Sequence, residues 1–174
     1  ALGEANLQAE VYAPILDALA DGPMTFRQLT ATKSIADLGW ARITQGLAVL
    51  VGTGHLQPCL PATEDNKRAQ RTRAFNSAVL KRAEGSAELQ FLSSPVTGGG
   101  VSVDRIQQLF LAGLAQKGGD PVAHAWTVLS AQGQTLLKDG QPLDGAEANI
   151  AELGGRFATF SQQRLPVLKQ LGIA

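Results

Sequence analysis

The chain has 174 residues, long enough for one domain or two small ones with a buried core. It is 44% hydrophobic but only 5% aromatic, and fifteen basic residues balance fifteen acidic ones, so the global charge argues against a nucleic-acid or membrane-surface partner. One cysteine, Cys59, excludes an intramolecular disulfide scaffold and leaves no material for a thiolate metal cluster.

The first six residues lack the basic and apolar regions of a secretory signal, and no apolar run reaches the roughly 20 residues of a membrane span. A cytoplasmic location is expected. The start at Ala1 instead of Met leads us to expect a piece of a longer polypeptide, although a removed tag would leave the same start.

In chain order, Leu7, Val11, Ile15, Leu16 and Leu19 predict a helix that stops at Asp21-Gly22-Pro23. Thr25 should cap a short second helix carrying Phe26 and Leu29. Ser34 or Asp37 is expected to open a third, with Ile35, Leu38, Ile43, Leu47, Leu50 and Val51 on its apolar positions. That helix stops at Gly52-Thr53-Gly54, and His55 to Pro58 is read as an extended wing strand. Three helices followed by a strand is the winged-helix order.

Residues 61–66 form the loosest polar stretch, which divides the chain into a winged-helix-like unit over 1–62 and a helical region over 63–174. A helix is predicted from Lys67 to Glu84 with Ala74, Phe75, Ala78 and Val79 inward. Two extended runs around Gly98-Gly99-Gly100 suggest a hairpin or an ordered loop, with Phe91 and Val96 anchoring its flanks in the core. Asp104 should cap the next helix, which carries Ile106, Leu109, Phe110, Leu111 and Leu114 and stops at Gly118-Gly119. Asp120-Pro121 starts another, expected to carry Val122, Ala125, Trp126, Leu129, Leu136 and Leu137. Asp139-Gly140 fits either a type I′ hairpin turn or the end of that helix, and the helix end is preferred. A last helix over about 146–171 should be interrupted before Pro166. The fold class expected is therefore α-rich α+β with a short β-hairpin.

Chemistry-bearing residues are sparse. A cofactor-binding glycine turn needs a strand before it and a helix after it. Gly98 to Gly100 leads into a second extended run, and Gly52-Thr53-Gly54 follows a helix, so both are read as turns. His55 and His124 stand without neighbouring ligands at metal spacing, and Cys59 is expected to be an inert buried thiol, with a Cys59/His55 nucleophile pair as its alternative. Ser93 and Ser94 lack the Gly-x-Ser-x-Gly elbow and should cap a turn, while Glu64-Asp65 is read as a solvated pair. Lys67, Arg68, Arg71, Arg73, Lys81 and Arg82 make the most cationic stretch, which is either a solvated face or a contact for an anionic partner. A DNA-reading third helix would be poor in cations, with Arg42 and Lys33 alone, so a winged helix used for packing fits better.

Several segments in combination resemble a known family: Ala74-Phe75-Asn76, Leu92 to Val101 (Leu-Ser-Ser-Pro-Val-Thr-Gly-Gly-Gly-Val), Gln108 to Leu111, Ala125-Trp126, Leu137 to Gly140, and Leu165 to Gly172. They are similar to the C-terminal region of bacterial class I S-adenosylmethionine-dependent methyltransferases that include protein lysine methyltransferases acting on outer-membrane proteins. In that family a catalytic domain precedes a regulatory domain and a C-terminal winged-helix region. The resemblance runs from about residue 12 to the end. It implies a regulatory or substrate-presenting part that contacts a methyltransferase catalytic domain, in cis or in trans, or a protein substrate. Catalytic residues, metal ligands and the S-adenosylmethionine site would lie outside this chain. The candidate interaction surface is Ser93, Ser94, Pro95, Gly98, Gly99 and Gly100, with Arg68 and Arg71. A winged-helix DNA-binding regulator is the second reading, and a free-standing enzyme the third.

Overall fold

The computed structural model describes residues 8–61, 63 and 65–174, the last range without the side chain of Asp65. Leu7, Ala62 and Glu64, on which parts of the expected first helix, linker and acid pair rest, lie outside the described residues. The chain divides between Cys59 and Leu60 into two units, each with its own core.

The first unit contains α1 (Ala9–Leu19), α2 (Phe26–Thr30), α3 (Lys33–Ala36) and α4 (Trp40–Gly52). Its core is Ile15, Leu29, Ile35, Ile43 and Leu50. Thr25 caps α2 through a reciprocal pair: its Oγ1 accepts from Gln28 N, and Gln28 Oε1 accepts from Thr25 N at 2.9 Å. The expected third helix is in fact two, because the chain breaks at Asp37 to Gly39, where Gly39 sits at φ 76° and precedes α4. The only trace of the break in the sequence is Gly39, since Ile35 and Ile43, eight residues apart, would share one helix face. The expected wing is also absent: His55 to Pro58 pairs with no strand among the described residues. Instead Leu56 N donates to Leu50 O at 3.1 Å, turning the Leu56 side chain back onto the core.

The second unit runs α5 (Asp65–Ala83), β1 (Phe91–Ser93), β2 (Gly100–Ser102), α6 (Arg105–Ala115), α7 (Pro121–Ala131), β3 (Leu137–Lys138), β4 (Gln141–Pro142) and α8 (Gly145–Thr159). A π-helical turn over Phe160–Arg164 then leads into α9 (Leu165–Gln170). β1 and β2 pair antiparallel, with Leu92 opposite Val101. Val79, Leu92, Val103, Leu109, Phe110, Leu129, Leu153, Phe160 and Leu168 form the core. Each fully buried Leu or Phe contributes about 1.5–3 kcal/mol. Phe110 stands edge-on to Phe157 at 5.2 Å and tilted to Phe160 at 5.7 Å. Close approach of α6 and α7 depends on Gly113, where a Cβ would come within 2.6 Å of Pro121 Cα. The chain is thus α-rich α+β with a small hairpin sheet.

Two further expectations need correction here. The buried face of α5 carries Asn76, Val79 and Ala83, whereas Phe75 is 55% exposed and Ala74 and Ala78 face solvent. The inward position of a polar residue is what hides this face from a hydrophobicity count. Likewise α7 stops at Ala131, and Asp139-Gly140 makes a hairpin between β3 and β4. Both residues have positive φ, 51° and 80°, the type I′ geometry, so the helix-end reading is wrong. The expected interruption before Pro166 is the π turn through which α8 continues, and it relieves the ring clash and lost donor that Pro166 would otherwise impose on the preceding turn.

Asn149 ties the second hairpin to α8. It is fully buried, accepts from Leu136 N at 2.7 Å, and donates to Leu143 O at 3.0 Å and Gly145 O at 2.7 Å. Asn149→Ala leaves a buried donor and acceptor unpaired and should lower unfolding free energy by about 2–4 kcal/mol, read by urea denaturation.

Candidate interaction surface

The turn between β1 and β2 is built around the hydroxyl of Ser94, a residue with no exposed surface. Its Oγ donates to Leu171 O at 2.7 Å and accepts from Val96 N at 3.2 Å and Thr97 N at 3.1 Å. Its backbone closes the turn as well, since Ser94 N donates to Gly99 O and Ser94 O accepts from Gly98 N, both at 2.9 Å. Every polar capacity of this serine is engaged in structure. Next to it Pro95 is buried, and a Cβ on Gly172 would lie 2.8 Å from Pro95 Cγ, so the end of the chain is seated directly on the turn.

Two side chains from α5 fix the flanks. Asn76 pairs its amide with the Ser93 backbone, accepting from Ser93 N at 2.7 Å and donating to Ser93 O at 2.9 Å, as a neighbouring strand would. Arg68 donates to Pro95 O at 3.1 Å and to Thr63 O and Pro61 O at 2.6 Å each. The guanidinium that the sequence offered as a contact for a partner is turned inward to hold the loop. Arg71 remains exposed. Three segments distant in sequence, those around Asn76, Ser93 to Gly100 and Leu165 to Gly172, therefore meet at one turn.

The three glycines have different roles. Gly98 has φ 73°, and a Cβ there would stand 2.6 Å from Leu60 Cδ1, while Leu60 N donates to Val96 O at 2.8 Å. Gly99 has open space around it and an ordinary φ, and a Cβ at Gly100 would make normal contact with Phe91. All three are exposed. Phe91 is not a core anchor as expected: it is 59% exposed, and Leu92 takes the buried position. Val96 is half-buried.

Among the other candidates, Cys59 is exposed, which corrects the buried-thiol expectation. His55 Nδ1 lies 2.9 Å from Thr53 Oγ1. His124 has Nδ1 3.1 Å from Gln116 Nε2 and Nε2 3.8 Å from Glu84 Oε1. Among the described residues no three His, Cys, Asp or Glu side chains converge as metal ligands, and no helix is long and apolar enough to cross a membrane.

Sequence reasoning missed a groove of about 890 Å³ on the second unit. Phe110, Phe160 and Ile106 line its apolar part, with Arg105, Arg156 and Arg164 among its polar residues. Arg156 pairs with Glu152 at 2.8 Å, but Arg105 and Arg164 bond only neutral oxygens: Arg105 those of Ala83, Glu84, Gln132 and Gln134, Arg164 that of Ser102. Arg105 comes from α6 and Arg156 and Arg164 from α8 and its π turn, about fifty residues on, and only the Pro166 signal pointed to the distortion beside them.

Gly98→Ala should cost about 1–2 kcal/mol, since it forces a Cβ into left-handed backbone and against Leu60, whereas Gly99→Ala should change stability by less than about 0.5 kcal/mol. Thermal melts of the two variants side by side check the difference.

Comparison with known proteins yields one curated relative, the uncharacterized protein sll1526 of Synechocystis sp., 36% identical over 173 residues. The alignment takes in 99% of this chain but 34% of the relative, so the chain spans about a third of the length of the curated relative it matches. No family model and no solved structure matches.

Proposed function

We propose that this chain is a non-catalytic regulatory or substrate-presenting domain of an S-adenosylmethionine-dependent protein methyltransferase in the cytoplasm, acting through protein–protein contacts. The observation that carries the reading is the assembly at Ser94. Three of the six segments through which the chain resembles that enzyme family, separated by up to a hundred residues, are joined by Asn76 to Ser93, Ser94 to Leu171 and Pro95 to Gly172. The product is a rigid turn that holds Gly98, Gly99 and Gly100 at the surface beside the exposed Phe91. A preorganised loop loses little entropy on binding, which suits a surface meant to dock a catalytic domain or steady a protein substrate. In the relative the matching region is one part of a polypeptide about three times as long, which leaves room there for a catalytic domain. Within this reading the first unit, α1 to α4 with no wing strand among the described residues, is a winged-helix variant used for packing.

The Synechocystis protein supplies the test. With tritiated S-adenosylmethionine and cell protein as acceptor, the intact relative should transfer label. Deleting the matching third should leave cofactor binding within about threefold but reduce protein methylation at least tenfold, a difference of about 1.4 kcal/mol in the barrier. Absence of cofactor binding by the intact relative would remove the methyltransferase reading.

A further inference from the structure

Two backbone positions of β2 have no strand beside them. In an antiparallel pair, residues that exchange hydrogen bonds alternate with residues whose peptide groups point outward. Gln90 O accepts from Val103 N, and Ser94 N donates to Gly99 O, both at 2.9 Å. With Leu92 opposite Val101, those three pairs lie along the bonded positions of the ladder. The peptide groups of Phe91, Ser93, Gly100 and Ser102 therefore point away from the hairpin.

On the β1 side Asn76 satisfies Ser93. On the β2 side Arg164 Nη2 donates to Ser102 O at 2.9 Å, while Gly100 N–H, Gly100 C=O and Ser102 N–H bond no group among the described residues. Gly100 and Ser102 are exposed, and Val101 between them is buried, so the strand is firmly seated with its outer edge open. Arg164, at that edge, also lines the groove over Phe110 and Phe160, and β2 leads through Val103 to Asp104 and Arg105 at the same groove.

We propose that the outer edge of β2 at Gly100 and Ser102, together with the adjoining groove, binds an extended acidic peptide segment by strand addition. The open donors and acceptor alternate at strand spacing, which an extended backbone matches. Arg105 and Arg164 carry positive charge with no carboxylate partner among the described residues, so an acidic side chain of the peptide completes them. Ile106, half-buried over the core residues Phe110 and Phe160, provides the apolar contact for a side chain of the incoming strand. The inference is independent of the methyltransferase reading, since it concerns what the edge binds and not what the polypeptide catalyses.

Panning the whole chain against a phage library of random linear eight-residue peptides should enrich acidic sequences of high β propensity. In ¹⁵N spectra the selected peptide should shift the amide signals of Gly100 and Ser102 and slow their exchange. N-methylation of alternate peptide residues, which removes the facing donors, should weaken binding at least tenfold, and Arg164→Gln should weaken it about tenfold. The methylated peptide needs no protein variant, so a folding defect in Arg164→Gln cannot mask the result. No enrichment, unperturbed Gly100 and Ser102 amides, or equal binding of the methylated peptide overturns the proposal. Protection of those amides on raising protein concentration without peptide overturns it too, by giving the edge to a second copy of the chain.

Discussion

A two-stranded sheet cannot satisfy its own backbone, because each strand turns half of its N–H and C=O groups away from the other. Buried peptide groups left without partners cost as much as lost hydrogen bonds, so surrounding helices must supply what missing strands would have supplied. Asn76 of α5 does so for Ser93. Gln108 of α6, fully buried, donates to Leu89 O at 2.7 Å and Val103 O at 2.8 Å where the hairpin opens. Ser94 does the same inside the turn and extends the network to Leu171. The arrangement of α5, α6 and the last helix around β1 and β2 follows from this one requirement.

The same requirement decides what is left over. On the β1 edge a neutral amide pairs both groups of Ser93 but not those of Phe91, and the β2 edge receives a single bond from Arg164. Arg164 is the last residue of the π-helical turn, which exists because Pro166 cannot continue an ordinary helix. A proline thus places a guanidinium at an open strand edge and beside an apolar groove. Asn76 covers the β1 edge at Ser93, while the facing position Gly100 on the β2 edge stays open to solvent.

Local chemistry was legible wherever one residue type performs one local task. Thr25, Asp104 and Asp120 cap the helices that follow them, as their positions before apolar runs required. The hairpin around the glycines and the interruption before Pro166 were legible for the same reason. Errors fell where two local solutions compete. Asp139-Gly140 serves a hairpin turn or a helix end equally well, and the early stop of α7 at Ala131 settled it. On α5 the inward residue is an asparagine whose value lies in Ser93, seventeen positions away, so the apolar count chose the wrong face.

Composition, caps, turn residues and apolar spacing determined by themselves a helix-rich chain with a short glycine hairpin, because those signals act within a few residues of chain. Tertiary structure alone decided that Arg68 would turn inward to three carbonyls and that Phe91 would be exposed and Leu92 buried. It also decided that Ser94 would meet Leu171, 77 residues on, and that Arg105 and Arg164 would share a groove. The physical reason is that a side chain's role in a polar network depends on which backbone groups remain unpaired after the elements pack. That remainder is a property of the assembled core, and no local window of sequence contains it.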